Sequence, residues 1–196
     1  MAIANLVEPE YQKKMNKRIL SRLCSAHLRG CPQELSNCVD SAEREYLPRG
    51  ITETLSTLDF IDSGLNVCIL GPSDSGKSYL AKAIGIVACN NYKVEYHHCE
   101  PLLEELVALK AVDYSKYQKR LKKTCGAALL ILDDFLLHTI TDEREVKILF
   151  EILEKRCEIN LSTIICSQRE PASWSSMILN DEVSANAILK RATKHY

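Results

Sequence analysis

Gly71, Pro72, Ser73, Asp74, Ser75, Gly76, Lys77 and Ser78 stand in the order G-x-x-x-x-G-K-S. A loop of that pattern aims several backbone N–H groups and the positive end of a helix dipole at one point, which suits a phosphate chain. Lys77 adds a full positive charge for the terminal phosphates, and the Ser78 hydroxyl is placed to ligate Mg2+. The nucleotide-binding stretch is therefore expected to run from Gly71 through Tyr79, as a nucleoside triphosphate site. A pair of carboxylates, Asp133 and Asp134, follows an apolar run ending at Leu132. One carboxylate there can hold magnesium, for which Asp133 is the candidate, while Asp134 polarises an attacking water. Gln168 closes another apolar run and is expected beside the same site. Lys116, Lys119, Arg120 and Lys123 recur at helical spacing and would form one basic face. Such a face meets the backbone phosphates of duplex DNA, or it is a solvated helix surface.

The elements that must position these groups are legible on either side of them. Asn66–Leu70 has the length and residue types of a buried strand, and Leu80, Ala81, Ile84, Val87 and Ala88 recur at helical spacing after the loop. Lys93–His98 alternates like a strand. Pro101 opens a helix with Glu104 and Glu105 in its early turns, and a second helix runs over 113–123. Ala128–Leu132 and Ser162–Cys166 read as further buried strands, flanking a helix that starts at Thr141 to Glu143 with a stripe of Val146, Leu149, Phe150, Leu153 and Cys157. Strands alternating with helices predict an α/β fold, a parallel sheet with helices on both faces. Ahead of this core, residues 10–28 read as a basic helix, 31–48 as a loop or linker with at most one helical turn, and 51–58 as a short helix. The expected domains are thus 1–48, a basic helix and linker, and 49–196, the nucleotide-binding core. Leu58 to Ile61, just before the first strand, is the segment expected to flank the base.

Composition narrows the class. The chain has 196 residues, with 46% hydrophobic and 26% charged, which excludes a disordered chain and fits one α/β domain with appendages. The longest apolar run, Ala127–Leu132, is too short to span a bilayer. Nine cysteines occur without a C-x-x-C pair, and Cys68, Cys125 and Cys166 lie in or beside apolar runs. With an odd count and no signal-like N-terminus, the expectation is free thiols in the cytoplasm. His97-His98-Cys99 has no second cluster to complete a metal site and reads as a strand end. The net charge of −1 conceals three basic clusters, Lys13 to Arg29, Lys116 to Lys123, and Lys190, Arg191 with Lys194, as contact with polyanions would require.

These motifs together resemble the IstB-like helper ATPases of insertion-sequence transposition. The resemblance rests on Gly71–Ser78, YLAKAIG, LLILDDF, STIICSQREPASW and the final AILKRAT, and extends from about Lys13 to the end. It implies a P-loop NTPase of the AAA+ class, a three-layer α/β/α fold near DnaC-type helicase loaders and DnaA. It implies Walker A at Gly71–Ser78, Walker B at Asp133 and Asp134, a sensor role for Gln168, and Arg191 as an arginine finger acting on a neighbouring subunit. The implied function is ATP-dependent DNA binding by a homo-oligomer that hands a target site to a transposase. A helicase partner, a small-molecule phosphotransferase and an inactive remnant are the alternatives. The sequence departs from the family at Asp74, where Gly is common, and at Lys190, where Asp is usual. Both ends look short, and a last strand and a lid are not evident.

Overall fold

A computed structural model describes residues 4–41, 44–178 and 182–193, with the side chains of 4–9 and 182 excepted. Lys194 lies outside the described residues. Four strands, β1 (Val67–Leu70), β2 (Val94–His98), β3 (Leu129–Asp133) and β4 (Ser162–Ser167), form one sheet in the order β1-β4-β3-β2. Every pairing is parallel, and the register sets His98 against Asp133 and Leu70 against Ser167. The carboxyl ends of the strands therefore come together, and the loop after β1 meets the acidic turn after β3 and the end of β4.

Alternation along the buried strands divides the core in two. Leu129 and Ile131 face one layer, with α4 (Lys77–Ala88), while Leu130 and Leu132 face the other, with α5 (Cys99–Val112), α6 (Tyr114–Cys125), α7 (Glu143–Glu158) and α9 (Glu182–Ala192). This is the expected three-layer α/β/α arrangement. Gly85 lets α4 lie close to the sheet: a Cβ there would sit 2.9 Å from the Ile131 and Leu28 side chains.

Several expectations shift at their boundaries. The first helix, α1, spans Ala4–Ser25, and α5 begins at Cys99, two residues before Pro101. Asp113 caps α6 by accepting from the Lys116 N–H at 3.0 Å, and Asp142 caps α7 by accepting from Arg144 N–H at 2.8 Å. Residues 51–58 contain α2 (Ile51–Ser56), after which Leu58 turns through a left-handed conformation into α3 (Asp59–Asp62). Among its described residues, the segment read as a linker contains one 3-10 turn, Leu35–Asn37, yet it is packed. Ala26, Leu28 and Cys38 are buried in the cluster around α4, with Cys31, Leu35 and Tyr46 against it. Beyond β4, the short α8 (Pro171–Trp174) seats Trp174 on Phe135, with ring centroids 4.8 Å apart.

Arg156, in the last turn of α7, is fully buried and ties the layers together. It donates to the carbonyls of Thr124, Cys125 and Ala127 at 3.3, 3.0 and 2.8 Å, to Thr163 Oγ1 at 3.0 Å, and to the Ser162 carbonyl. Two of these carbonyls end α6, where a cation opposes the negative end of the helix dipole. Burial lowers its pKa to about 10, so it still carries its charge at neutral pH.

Candidate nucleotide site

The phosphate loop bridges β1 and α4. Asp74 takes φ 59° and Gly76 φ 89°, so the loop demands the left-handed conformation at both positions. Asp is one of the few non-glycine residues that adopt it readily. The first intrahelical bond of α4 runs from Leu80 N–H to the Gly76 carbonyl at 3.0 Å. The N–H groups of Lys77, Ser78 and Tyr79 thus stand ahead of the helical ladder, which is the donor set a phosphate needs. Lys77 Nζ donates to the Pro72 carbonyl at 2.5 Å and reaches Ser75 Oγ at 3.5 Å. Gly71 N–H is tied to the Ser167 carbonyl at 3.3 Å, which draws the end of β4, and with it Gln168, alongside the loop.

The acidic pair lies across the same cleft. Asp133 is fully buried, and its carboxylate accepts from Tyr96 Oη at 2.5 Å and from the Asp134 N–H at 3.0 Å. Burial, and then the hydrogen bond to Asp133 and its charge, push the Tyr96 phenol upward, so it remains the donor. Burial and the Asp133 charge raise the Cys166 thiol and keep it neutral. Asp134 takes φ 53° and is partly exposed; its Oδ2 lies 2.8 Å from His98 Nδ1. His98, Asp133 and Asp134 offer ligand atoms within 4.8 Å of one another, a set a divalent cation fits.

One open cleft of about 380 Å3 collects Ser73, Asp74, Gly76, Lys77, Ser78, Tyr79, Asp134 and Gln168. Arg44, from the segment ahead of the core, lines it as well. Leu58, Phe60 and Ile61, expected near the base, are instead buried in the core beside α4. Arg191 is not brought to this cleft. Its carbonyl accepts from Asn66 Nδ2 at 2.9 Å, at the amino end of β1, whereas the phosphate loop follows the carboxyl end. Its guanidinium is paired with Glu154, lies 4.5 Å from the Phe150 ring centroid and donates to the Ala187 carbonyl at 2.8 Å.

The basic face of α6 is divided by its surroundings. Lys116 and Lys119 are exposed, Lys116 3.4 Å from Asp113. Arg120, expected on an open phosphate-tracking face, is turned inward with its side chain 16% exposed, because Glu105 and Glu95 hold it at 2.8 and 3.4 Å. Lys123 pairs with the buried Glu95 at 2.8 Å. Burial drives the Glu95 pKa up, but hydrogen bonds from His97 and Lys123 outweigh it and hold the carboxyl below its usual value.

Three site residues escape a reading of the sequence. Tyr96 and His98 serve the two carboxylates from alternate positions of β2; that alternation was the available signal, but it gains meaning only once β2 is placed beside β3. Arg44 carries no local signal.

Comparison with known proteins decides the family. Residues 2–196 match the IstB-like ATP-binding protein family. The chain belongs to that family. An insertion-sequence ATP-binding protein of Sinorhizobium fredii is 37% identical over 190 residues, 96% of this chain and 74% of the relative. An insertion sequence IS21 ATP-binding protein of Pseudomonas aeruginosa is 28% identical, covering 98% and 77%. Among solved structures, DnaI aligns with a TM-score of 0.67 at 21% identity over 84% of this chain and 87% of its own. The DnaC helicase loader gives 0.63 at 20% identity over 82% and 94%. At such identities the likeness establishes the shared three-layer α/β fold.

Proposed function

We propose that this IstB-like protein is an ATPase that binds duplex DNA as an ATP-dependent homo-oligomer and hands a target site to a transposase. The observation that carries the reading is the single cleft where Lys77, Ser78, Asp134 and Gln168 meet, above the buried Asp133. Lys77 and the N–H groups at the start of α4 bind the phosphates. Ser78 and Asp133 are the residues that would hold Mg2+, which would supply charge neutralisation for the terminal phosphates. Asp134 accepts a hydrogen bond from the attacking water and orients it, while Gln168 contacts the terminal phosphate. Arg191 lies at the far end of β1 from its own loop, so a role in hydrolysis requires a neighbouring subunit's ATP. Of the four basic side chains expected on one face of α6, the exposed Lys116 and Lys119 are those left to meet DNA phosphates.

A transposase is favoured over a helicase as partner because the insertion-sequence relative is 37% identical, whereas the likeness to the helicase loader is one of fold. The test measures nucleotide affinity and turnover separately. Lys77→Ala should lose ATP binding, and Asp134→Asn should bind ATP and lose hydrolysis. Unchanged affinity in Lys77→Ala would sink the site assignment; unchanged turnover in Asp134→Asn would sink the role of that carboxylate. Co-purification with the transposase of the same element, dependent on ATP, tests the handover.

A further inference from the structure

The segment between α1 and α2, which composition marks only as a charged loop, folds onto the start of α4. Glu34 N–H and Asn37 Nδ2 both donate to Tyr79 Oη, at 3.2 and 3.3 Å. Ser41 and Arg44 exchange two backbone hydrogen bonds of 2.7 and 3.3 Å, and Tyr46 N–H donates to Asp40 Oδ1 at 2.8 Å. Cys38 is buried beneath this turn. The strap is thus anchored at both ends of the residue it presents. Arg44 lines the nucleotide cleft, and its guanidinium rests on the loop: a Cβ added at Gly76 would meet Arg44 Cζ at 2.9 Å and Nη1 at 3.1 Å. The same guanidinium donates to Tyr46 Oη at 3.4 Å, which helps fix its plane.

We propose that Arg44 is a nucleotide-binding residue, a second cation that contacts the α/β-phosphate segment of the bound nucleotide. The inference rests on the cleft's being the nucleotide site and is independent of hydrolysis. A guanidinium offers a planar fork of donors that matches two phosphate oxygens at once. Its position selects the phosphates. It lies against Gly76 at the amino end of α4, where the loop N–H groups cradle the α- and β-phosphates, while Lys77 extends toward the β- and γ-phosphates. Asp134 and Gln168 approach from the sheet, and their partner is the terminal phosphate. Arg44 should therefore act on ADP as much as on ATP, which separates it from every residue aimed at the γ-phosphate.

The experiment is calorimetric titration of the full chain with ATP and with ADP, each with Mg2+. Arg44→Ala should weaken both nucleotides alike, on the order of 10- to 100-fold for a lost charge-assisted contact. Arg44→Lys should recover part of that loss, since a point charge replaces the fork. Equal affinities in wild type and Arg44→Ala would overturn the proposal. Tighter binding in Arg44→Ala would also overturn it, making the arginine an occupant of the cleft that nucleotide must displace. Weakening of ATP alone would refute the α/β assignment. Arg44→Gln and thermal unfolding of each variant separate a lost contact from a lost fold. Should wild type bind neither nucleotide, the site itself is wrong; should it bind both without turnover, the hydrolysis reading fails and the Arg44 comparison still stands.

Discussion

Removing Lys116 and Lys119 together should flatten the salt dependence of DNA binding by about 1.8 log–log units, from ~0.9 per phosphate contact on duplex DNA. Four free cations on α6 would have given about 3.6. The structure halves the count, because Arg120 and Lys123 already serve Glu95 and Glu105 at 2.8–3.4 Å. Arg120→Ala is the informative contrast. It leaves Glu95, whose side chain is 4% exposed, without one of its partners, and frees Glu105 on the surface. A buried carboxylate short of a hydrogen bond costs about 1–3 kcal/mol, which lowers Tm by roughly 2–12 °C in a domain of this size. The pH sense follows from the depressed pKa of Glu95. Its contribution is complete above the unfolded value near 4.5 and lost as pH falls through the lower folded value, so the deficit of Lys123→Ala, whose ammonium helps hold that pKa down, should shrink in acid. Anisotropy of a labelled duplex with saturating ATP, across a KCl series, gives the slopes; thermal unfolding gives the stabilities. An unaltered slope in the Lys116/Lys119 double variant would refute the phosphate reading of this face. A drop of one full contact in Arg120→Ala with unchanged Tm would refute the division of the stripe.

Arg156→Met should destabilise the protein by roughly 3–5 kcal/mol, since several buried acceptors lose their donor and such losses do not simply add. Urea unfolding checks it, and a loss below about 1 kcal/mol would mean the carbonyls find other partners. Mixing Arg191→Ala with Lys77→Ala subunits should restore part of the ATPase activity, because a mixed interface pairs an intact loop with an intact arginine. A mixture as inactive as its components, at concentrations where wild type assembles, would place the finger elsewhere.

What could be read from the sequence was whatever local pattern specifies. The runs at 129–132 and 162–166 are buried on both faces as expected, whereas 67–70, also expected to be buried, is the half-buried edge strand of the sheet; the loop at 71–78 carries its own conformational demand in Gly76 and Asp74. What escaped depends on neighbours distant in the chain. Helical spacing correctly groups Lys116, Lys119, Arg120 and Lys123, yet which of them meet solvent depends on Glu95, set on the adjacent strand. Arg156 occupies a place in the buried stripe of α7 where amphipathic logic expects an apolar side chain, and only the carbonyls of Thr124, Cys125 and Ala127 explain a charge there. The same holds for Arg44: nothing in a charged loop announces that its guanidinium will lie against Gly76.

The register of β2 connects these observations. With His98 opposite Asp133, Tyr96 and His98 fall on the side of the two carboxylates, while Glu95 and His97 fall toward α6 and its cations. Because side chains alternate along a strand, a slip of one residue would exchange the two sets. Glu95 would then face Asp133, adding a like charge beside the Lys77 loop, and Arg120 and Lys123 would lose the carboxylate that holds them. One pairing register therefore builds the acidic side of the Lys77–Asp134 cleft and fixes how much of the basic face of α6 stays unpaired by Glu95.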